Sequence, residues 1–202
     1  MEHLEDEILN NGVSGMKKII QFLVSLGKAL SGPGISSKEM TVKWDGKPAV
    51  FAGNDPKTGK FFVGTKSIFN KNPKLIKQLS DIALYEYKGQ LASKMAIAFS
   101  ELQKLDIENV LQGDMMFTQN DLESTEVDGI QYITFQPNTI VYAVPVDSDL
   151  GKKMNKAKMG IVWHTTYTGD TLQGMTASFG ANISSLSKPT TVWMDDLSLI
   201  HI

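Results

Sequence analysis

The sequence predicts an α+β fold, with mixed, largely antiparallel sheets and helices inserted between the strands. Three observations carry this. Strand-like runs follow one another closely, joined by turn-forming residues, as antiparallel hairpins require. Segments of helical periodicity interrupt these runs at irregular intervals. Neither Gly-x-Gly-x-x-Gly nor Gly-x-x-x-x-Gly-Lys-Ser/Thr occurs, so nothing signals a Rossmann site or a P-loop.

The elements follow in order. An acidic stretch over residues 2–9 runs into Asn10-Asn11-Gly12, a breaker. Ser14 is placed to cap a helix over residues 16–30, where Ile19, Ile20, Leu23, Val24, Leu26 and Leu30 recur at helical spacing. Ser31-Gly32-Pro33-Gly34 ends it. Strands are expected at 40–44 and 49–52, with Asp45-Gly46 as the turn between them. A loop over 53–59 then returns the chain into a strand at 61–64. Leu91, Met95, Phe99 and Leu102 share one side of a helix expected over 90–105. Further strands are expected at 110–117, 132–135 and 139–144, the last two broken at Gln136-Pro137-Asn138. A lysine-rich helix over 148–157 precedes a strand at 160–167, and a last strand is expected at 191–194. The domain expectation is a helical lead-in over 1–34 and a partial catalytic domain over 35–196.

With 202 residues, 42% of them hydrophobic, the chain is long enough for one domain with a sizeable core. No run approaches the roughly 20 apolar residues of a membrane span, so no membrane partner is expected. The acidic N-terminus argues against a secretion signal, and the lack of cysteine fits a reducing compartment. The expected location is cytoplasmic, the host cytoplasm if the chain is phage-encoded. Net charge is −2, which excludes a global basic field for nucleic acid. The distribution is less even: nine of the 20 lysines fall between Lys38 and Lys77, against Glu39, Asp45 and Asp55. There is no arginine, so bidentate guanidinium clamps on phosphate are absent, and lysines, backbone amides and metal must do that work.

The sharpest motif is Lys43-Trp44-Asp45-Gly46, followed by Lys47. Composition alone would give about one such Lys-x-Asp-Gly in ten chains of this kind, so context must support it. On a strand, Lys43 and Asp45 would share a face because side chains repeat with period two. Gly46 would allow backbone to approach a ligand. A lysine attacks phosphorus only when neutral, and an unperturbed amine of pKa ~10.4 is almost wholly protonated at pH 7. Burial and nearby cations lower that value, and Lys47 and Lys66 are the candidate cations.

Lys-x-Asp-Gly is the signature of the covalent nucleotidyltransferases: DNA ligases, RNA ligases and capping enzymes. The chain resembles this family, the RNA-ligase branch most, through four pieces in the family's order over residues 41–146. After the signature, Val63-Gly64-Thr65-Lys66-Ser67 resembles the segment that holds nucleotide sugar and phosphate. Val110–Phe117 resembles the strand ending in Gly-Glu, with Asp114 in place of Glu. Residues 139–145, including Tyr142, resemble the aromatic strand that packs on the purine. More loosely, the N-terminal half resembles long uncharacterised proteins of tailed phages.

The resemblance implies a ligase or capping-type (ATP-grasp-like) domain that uses ATP and Mg²⁺ and acts on 5′-phosphorylated RNA or DNA ends. It implies Lys43 as the residue that takes up AMP, with Asp45 and Lys47 as its catalytic companions. The nucleotide would be bound by Val42, Gly46, Thr65, Lys66, Asp114 and Tyr142, and Asp114 would also meet the metal. Three departures stand out. Glu-Gly-Val/Ile-Val and the downstream Lys-x-Lys are not found in that arrangement, and Asp114 is one methylene shorter than the family's Glu. Residues 197–202 resemble translated sequencing-adapter read-through and are expected to be non-native, with the natural sequence diverging after about Asp196. Two other readings stay open: a nucleotide-binding relative without turnover, and a phage structural or assembly protein whose Asp-Gly only makes a turn.

Other candidates are read structurally. His164 sits mid-strand and reads as structural, though it could touch a ligand. Asp147, Asp149, Asp195 and Asp196 read as helix caps or solvent-facing groups, and Trp44 reads as core.

Overall fold

The computed structural model describes Leu4–Ser31 and residues 44–196. These fall into two compact units, an N-terminal helix and a sheet-containing body. The helix, α1 (Leu4–Ser31), consists of two helical pieces meeting at Gly12, whose φ of 53° and ψ of −131° are non-helical. The breaker therefore acts as expected, although helix also occupies the acidic stretch before it.

The body contains β1 (Ala49–Asn54), β2 (Phe61–Gly64), α2 (Ser80–Leu84), α3 (Gly89–Leu102), β3 (Val110–Thr118), β4 (Glu123–Val127), β5 (Ile130–Phe135), β6 (Tyr142–Pro145), α4 (Asp149–Lys156), β7 (Met159–Thr168), β8 (Thr176–Phe179) and β9 (Val192–Asp196). It is α+β, as the sequence predicts. A six-stranded sheet runs β2-β1-β3-β7, and the outer side of β7 is shared by β8 and β9. All its pairings are antiparallel except β7 with β9. A second, antiparallel sheet is ordered β4-β5-β6.

Period-two alternation divides the large sheet into two faces. Val50 and Ala52 of β1, Leu111 and Met115 of β3, and Ile161 and Trp163 of β7 enter one core with Met95, Ala98 and Leu102 of α3. Each fully buried aliphatic or aromatic side chain here stabilises the fold by about 1.5–3 kcal/mol. Met95 and Leu102 are buried as expected, whereas Leu91 is exposed. On the opposite face, Phe51, Phe62, Ile68, Val110 and Leu172 form a cluster at one end. At the other end Trp44, Met116, Phe117, Val162 and Trp193 pack with Ile133 and Phe135 of β5 and Met154 of α4. A register shift between Met115 and Phe117 lets Met116 and Phe117 join the same cluster.

Several expectations are corrected. Residues 40–43 of the expected first strand lie outside the described residues, and Trp44 at its end is irregular. Asp45-Gly46 has no turn geometry among the described residues, and the next two residues, Lys47 and Pro48, hydrogen-bond to Met115 of β3. Asp195 and Asp196 lie in β9 rather than at a helix end. Strands β4 and β8 were not anticipated; every residue of both is exposed, so neither carries an apolar alternation.

Candidate functional site

Gly46 of the Lys-x-Asp-Gly segment lies close against β3. A Cβ built there would meet the Met115 carbonyl oxygen at 2.7 Å, Asp114 Cβ at 2.8 Å and Met116 Sδ at 2.9 Å. Only glycine allows this approach. On the side where a Cβ would stand, the close contact is made with β3. Immediately after it, the Lys47 N–H donates to the Met115 carbonyl at 2.9 Å, and the Met115 N–H donates to the Pro48 carbonyl at 3.0 Å. The Lys47-Pro48 peptide bond is cis. The Lys47 side chain is exposed.

Asp45 is fixed from the other side. Its N–H donates to Tyr142 Oη at 2.9 Å, and Asn138 Nδ2 donates to its Oδ2 at 2.8 Å. The tyrosine ring is stacked on Phe135 at 5.3 Å and lies 5.0 Å from Trp44. Tyr142 thus positions Asp45, with its ring engaged by protein aromatics rather than standing as a free platform for a purine. Trp44 is buried between Tyr142 and Trp193, as its core assignment anticipates. Val42 and Lys43 lie outside the described residues.

Asp114 pairs with Ala49 on one side and Val162 on the other. Between the two apolar clusters, its face of the sheet carries a polar strip. A register shift pairs Gln112 with Thr165 and Gly113 with Trp163, leaving His164 as the extra residue of β7. His164 Nε2 consequently lies 3.7 Å from Asp114 Oδ1, and its Nδ1 lies 2.8 Å from Thr165 Oγ1. Asp114 keeps 25% of its side chain exposed, so this carboxylate is reachable. Two residues along β3 and on the same face, Gln112 accepts a hydrogen bond from the Tyr167 hydroxyl at 2.8 Å. Burial pushes the Tyr167 phenol above its ordinary value, keeping it a neutral donor.

Lys66 opens the short helical turn Lys66–Phe69 and is exposed. With Phe69, Gln112, Tyr167 and Gln173 it lines a cavity of about 480 Å³. Its neighbour Thr65 faces Ser67 Oγ at 3.0 Å and Tyr87 Oη at 3.3 Å. Gln112 thereby links the cavity of Lys66 to the strip that holds Asp114. Asp195 is aligned with Asp114 through Val162, two strands away, roughly 10 Å. Burial, with Asp196 adding to it, raises its carboxyl above the ordinary value.

Among the described residues, no group of three or more His, Cys, Asp or Glu is arranged to hold a metal ion. Mg²⁺ is commonly bound by one or two carboxylates together with water and substrate phosphates. Asp114 can supply one carboxylate of that kind. No described helix is long and apolar enough to cross a membrane.

Residues 1–200 match DUF6267, described as a family of unknown function. The chain belongs to this family. No curated protein and no solved structure matches it. In this DUF6267 chain, the polar residues beside Asp114 that sequence reasoning missed are Gln112, Thr165 and Tyr167. Their only signal was a polar residue at alternate positions of otherwise apolar strands. The register shift that turns His164 toward Asp114 leaves no such mark.

Proposed function

We propose that this chain is a polynucleotide ligase-type nucleotidyltransferase, with Lys43 as the residue that carries AMP. One observation supports this most: the Asp45-Gly46 segment touches both Asp114 and Tyr142, residues far from it in sequence. Gly46 abuts Asp114, and the Asp45 N–H is bonded to Tyr142. A hairpin whose Asp-Gly merely made a turn would need neither contact.

In the first step, the neutral Lys43 amine attacks the α-phosphorus of ATP. A P–N bond forms, the P–O bond to the β-phosphate breaks, pyrophosphate leaves, and the amine loses a proton. In the second, a terminal 5′-phosphate oxygen of RNA or DNA attacks the same phosphorus, taking AMP and releasing the lysine. Catalysis of this kind rests on positioning and charge stabilisation. Lys47 and Lys66, both exposed, supply cations for the phosphates. Asp45, held by Asn138, orients the lysine or the sugar. Thr65 and Asp114 contact ribose, and the cavity of Phe69 and Tyr167, with ring centroids 5.0 Å apart, takes the base in place of Tyr142. Mg²⁺, held by Asp114, would neutralise phosphate oxygens.

The test is incubation with α-labelled ATP and Mg²⁺, followed by denaturation. Label that stays on the protein and vanishes in both Lys43→Ala and Lys43→Arg is expected, because a guanidinium stays protonated. Normal labelling of Lys43→Arg would overturn the assignment. Reversible nucleotide binding without label would point instead to a non-catalytic relative.

A further inference from the structure

A second cavity, of about 440 Å³, lies at the outer edge of β9. Lys152, Lys153 and Lys156 of α4 line it on one side and Lys188 on another. All four are exposed. None takes part in an ion pair or side-chain hydrogen bond among the described residues, and no carboxylate lines the cavity. Ile183, Pro189, Trp193 and Met194 make its walls apolar. Lysines in the last turn of a helix complement its dipole, which accounts for Lys153 and Lys156. It does not account for Lys188, brought to the same cavity by a separate segment.

We propose that this cavity binds a single strand of nucleic acid, the lysines taking its phosphates and the apolar walls a base. The chemistry is that of single-strand sites, which pair a cationic groove with surfaces for the bases. Lys152 and Lys156 are one helical turn apart, about 6 Å along the axis, so they can serve successive phosphates rather than one. An overall charge of −2 means that any attraction for the strand comes from local groups such as these lysines. Trp193 also packs 5.5 Å from Trp44, so one wall of the cavity is in contact with the first described residue of the Lys-x-Asp-Gly segment. The choice of nucleic acid as occupant rests on the ligase reading.

The experiment measures binding of a fluorescent single-stranded oligonucleotide to the full chain, without ATP, over a range of salt concentrations. Binding should weaken with salt, log K falling by roughly 0.7 per phosphate contact against log salt. The triple variant Lys152→Glu/Lys156→Glu/Lys188→Glu should bind at least tenfold more weakly and with a shallower salt slope. A control variant, Lys57→Glu/Lys60→Glu/Lys71→Glu, should bind as the parent does. Photo-crosslinking should mark peptides from residues 183–194. Unchanged affinity in the first variant, equal losses in both, or crosslinks elsewhere would each overturn the proposal. ATP labelling is read in parallel: label without oligonucleotide binding sinks this site alone, and binding without label sinks the ligase reading alone.

Discussion

Gly46 and Asp114 are in contact across the start of the large sheet: a side chain on Gly46 would come within 2.8 Å of the Asp114 Cβ. The Met115 carbonyl, at 2.7 Å from the same point, belongs to the backbone and cannot swing aside. Gly46→Ala is therefore expected to cost about 1–3 kcal/mol, the usual range for forcing atoms into a packed site. Denaturant unfolding measures that loss, and ATP labelling should fall with it even where the variant stays folded. A Gly46→Ala protein as stable as the parent would show that the contact is not tight.

Tyr142 separates two contributions. Tyr142→Phe removes only the acceptor for the Asp45 N–H and should destabilise by about 0.5–1.5 kcal/mol. Tyr142→Ala also removes a ring packed on Phe135 and Trp44 and should cost more. If the two variants unfold at the same denaturant concentration, the ring packing contributes nothing.

Asp114 supplies the reachable carboxylate of the polar strip. Asp114→Ala is expected to lower the rate of AMP labelling on the order of 10²-fold, the scale of losing one group that stabilises developing charge. Asp114→Glu should recover part of that rate. Unfolding midpoints close to the parent's in both variants would place the effect on the reaction rather than on stability.

Acid should destabilise the fold. Burial opposes the charge of Asp55, yet hydrogen bonds from Lys77, Thr58 and the Lys57 N–H outweigh it and hold the carboxyl below its ordinary value of 3.8. Glu101, likewise buried, is held below its ordinary 4.5 by Lys104 and Thr191. A carboxyl with a depressed folded pKa favours the folded state above its unfolded value, and that contribution fades as pH falls through the folded one. Stability is thus expected to be steady from neutral pH to about 5 and to fall below about 4. In Lys77→Met the Asp55 share of this slope should shrink, because only Thr58 and the Lys57 N–H still oppose the burial, as urea unfolding at stepped pH would register.

Legibility from sequence followed burial pattern. Phe61–Gly64 and the lysine-rich helix were read almost to the residue. The first is a short continuous apolar run between clear turns, and the second begins at Ser148, whose hydroxyl accepts from the Gly151 N–H. Strands β4 and β8 expose all their residues, so only pairing with a neighbour makes them strands, and pairing is not written in one segment. Asp45-Gly46 reads as a turn because that is what the dipeptide commonly makes. Here the glycine serves close packing against a strand nearly 70 residues further along, a use that depends wholly on tertiary structure. Asp114 stood out in sequence through the Gly113-Asp114 dipeptide. His164 faces it only because two strands slip out of step.

The parallel pairing of β7 with β9 has an architectural consequence. Until Val192–Asp196 docks, the Met159–Trp163 half of β7 has an open row of backbone donors and acceptors. Trp193 is also missing from beside Trp44 and Phe117 until then. A chain cut at position 190 should accordingly be prone to edge-to-edge association, and Trp44 would lose an aromatic partner that only the most distant strand supplies.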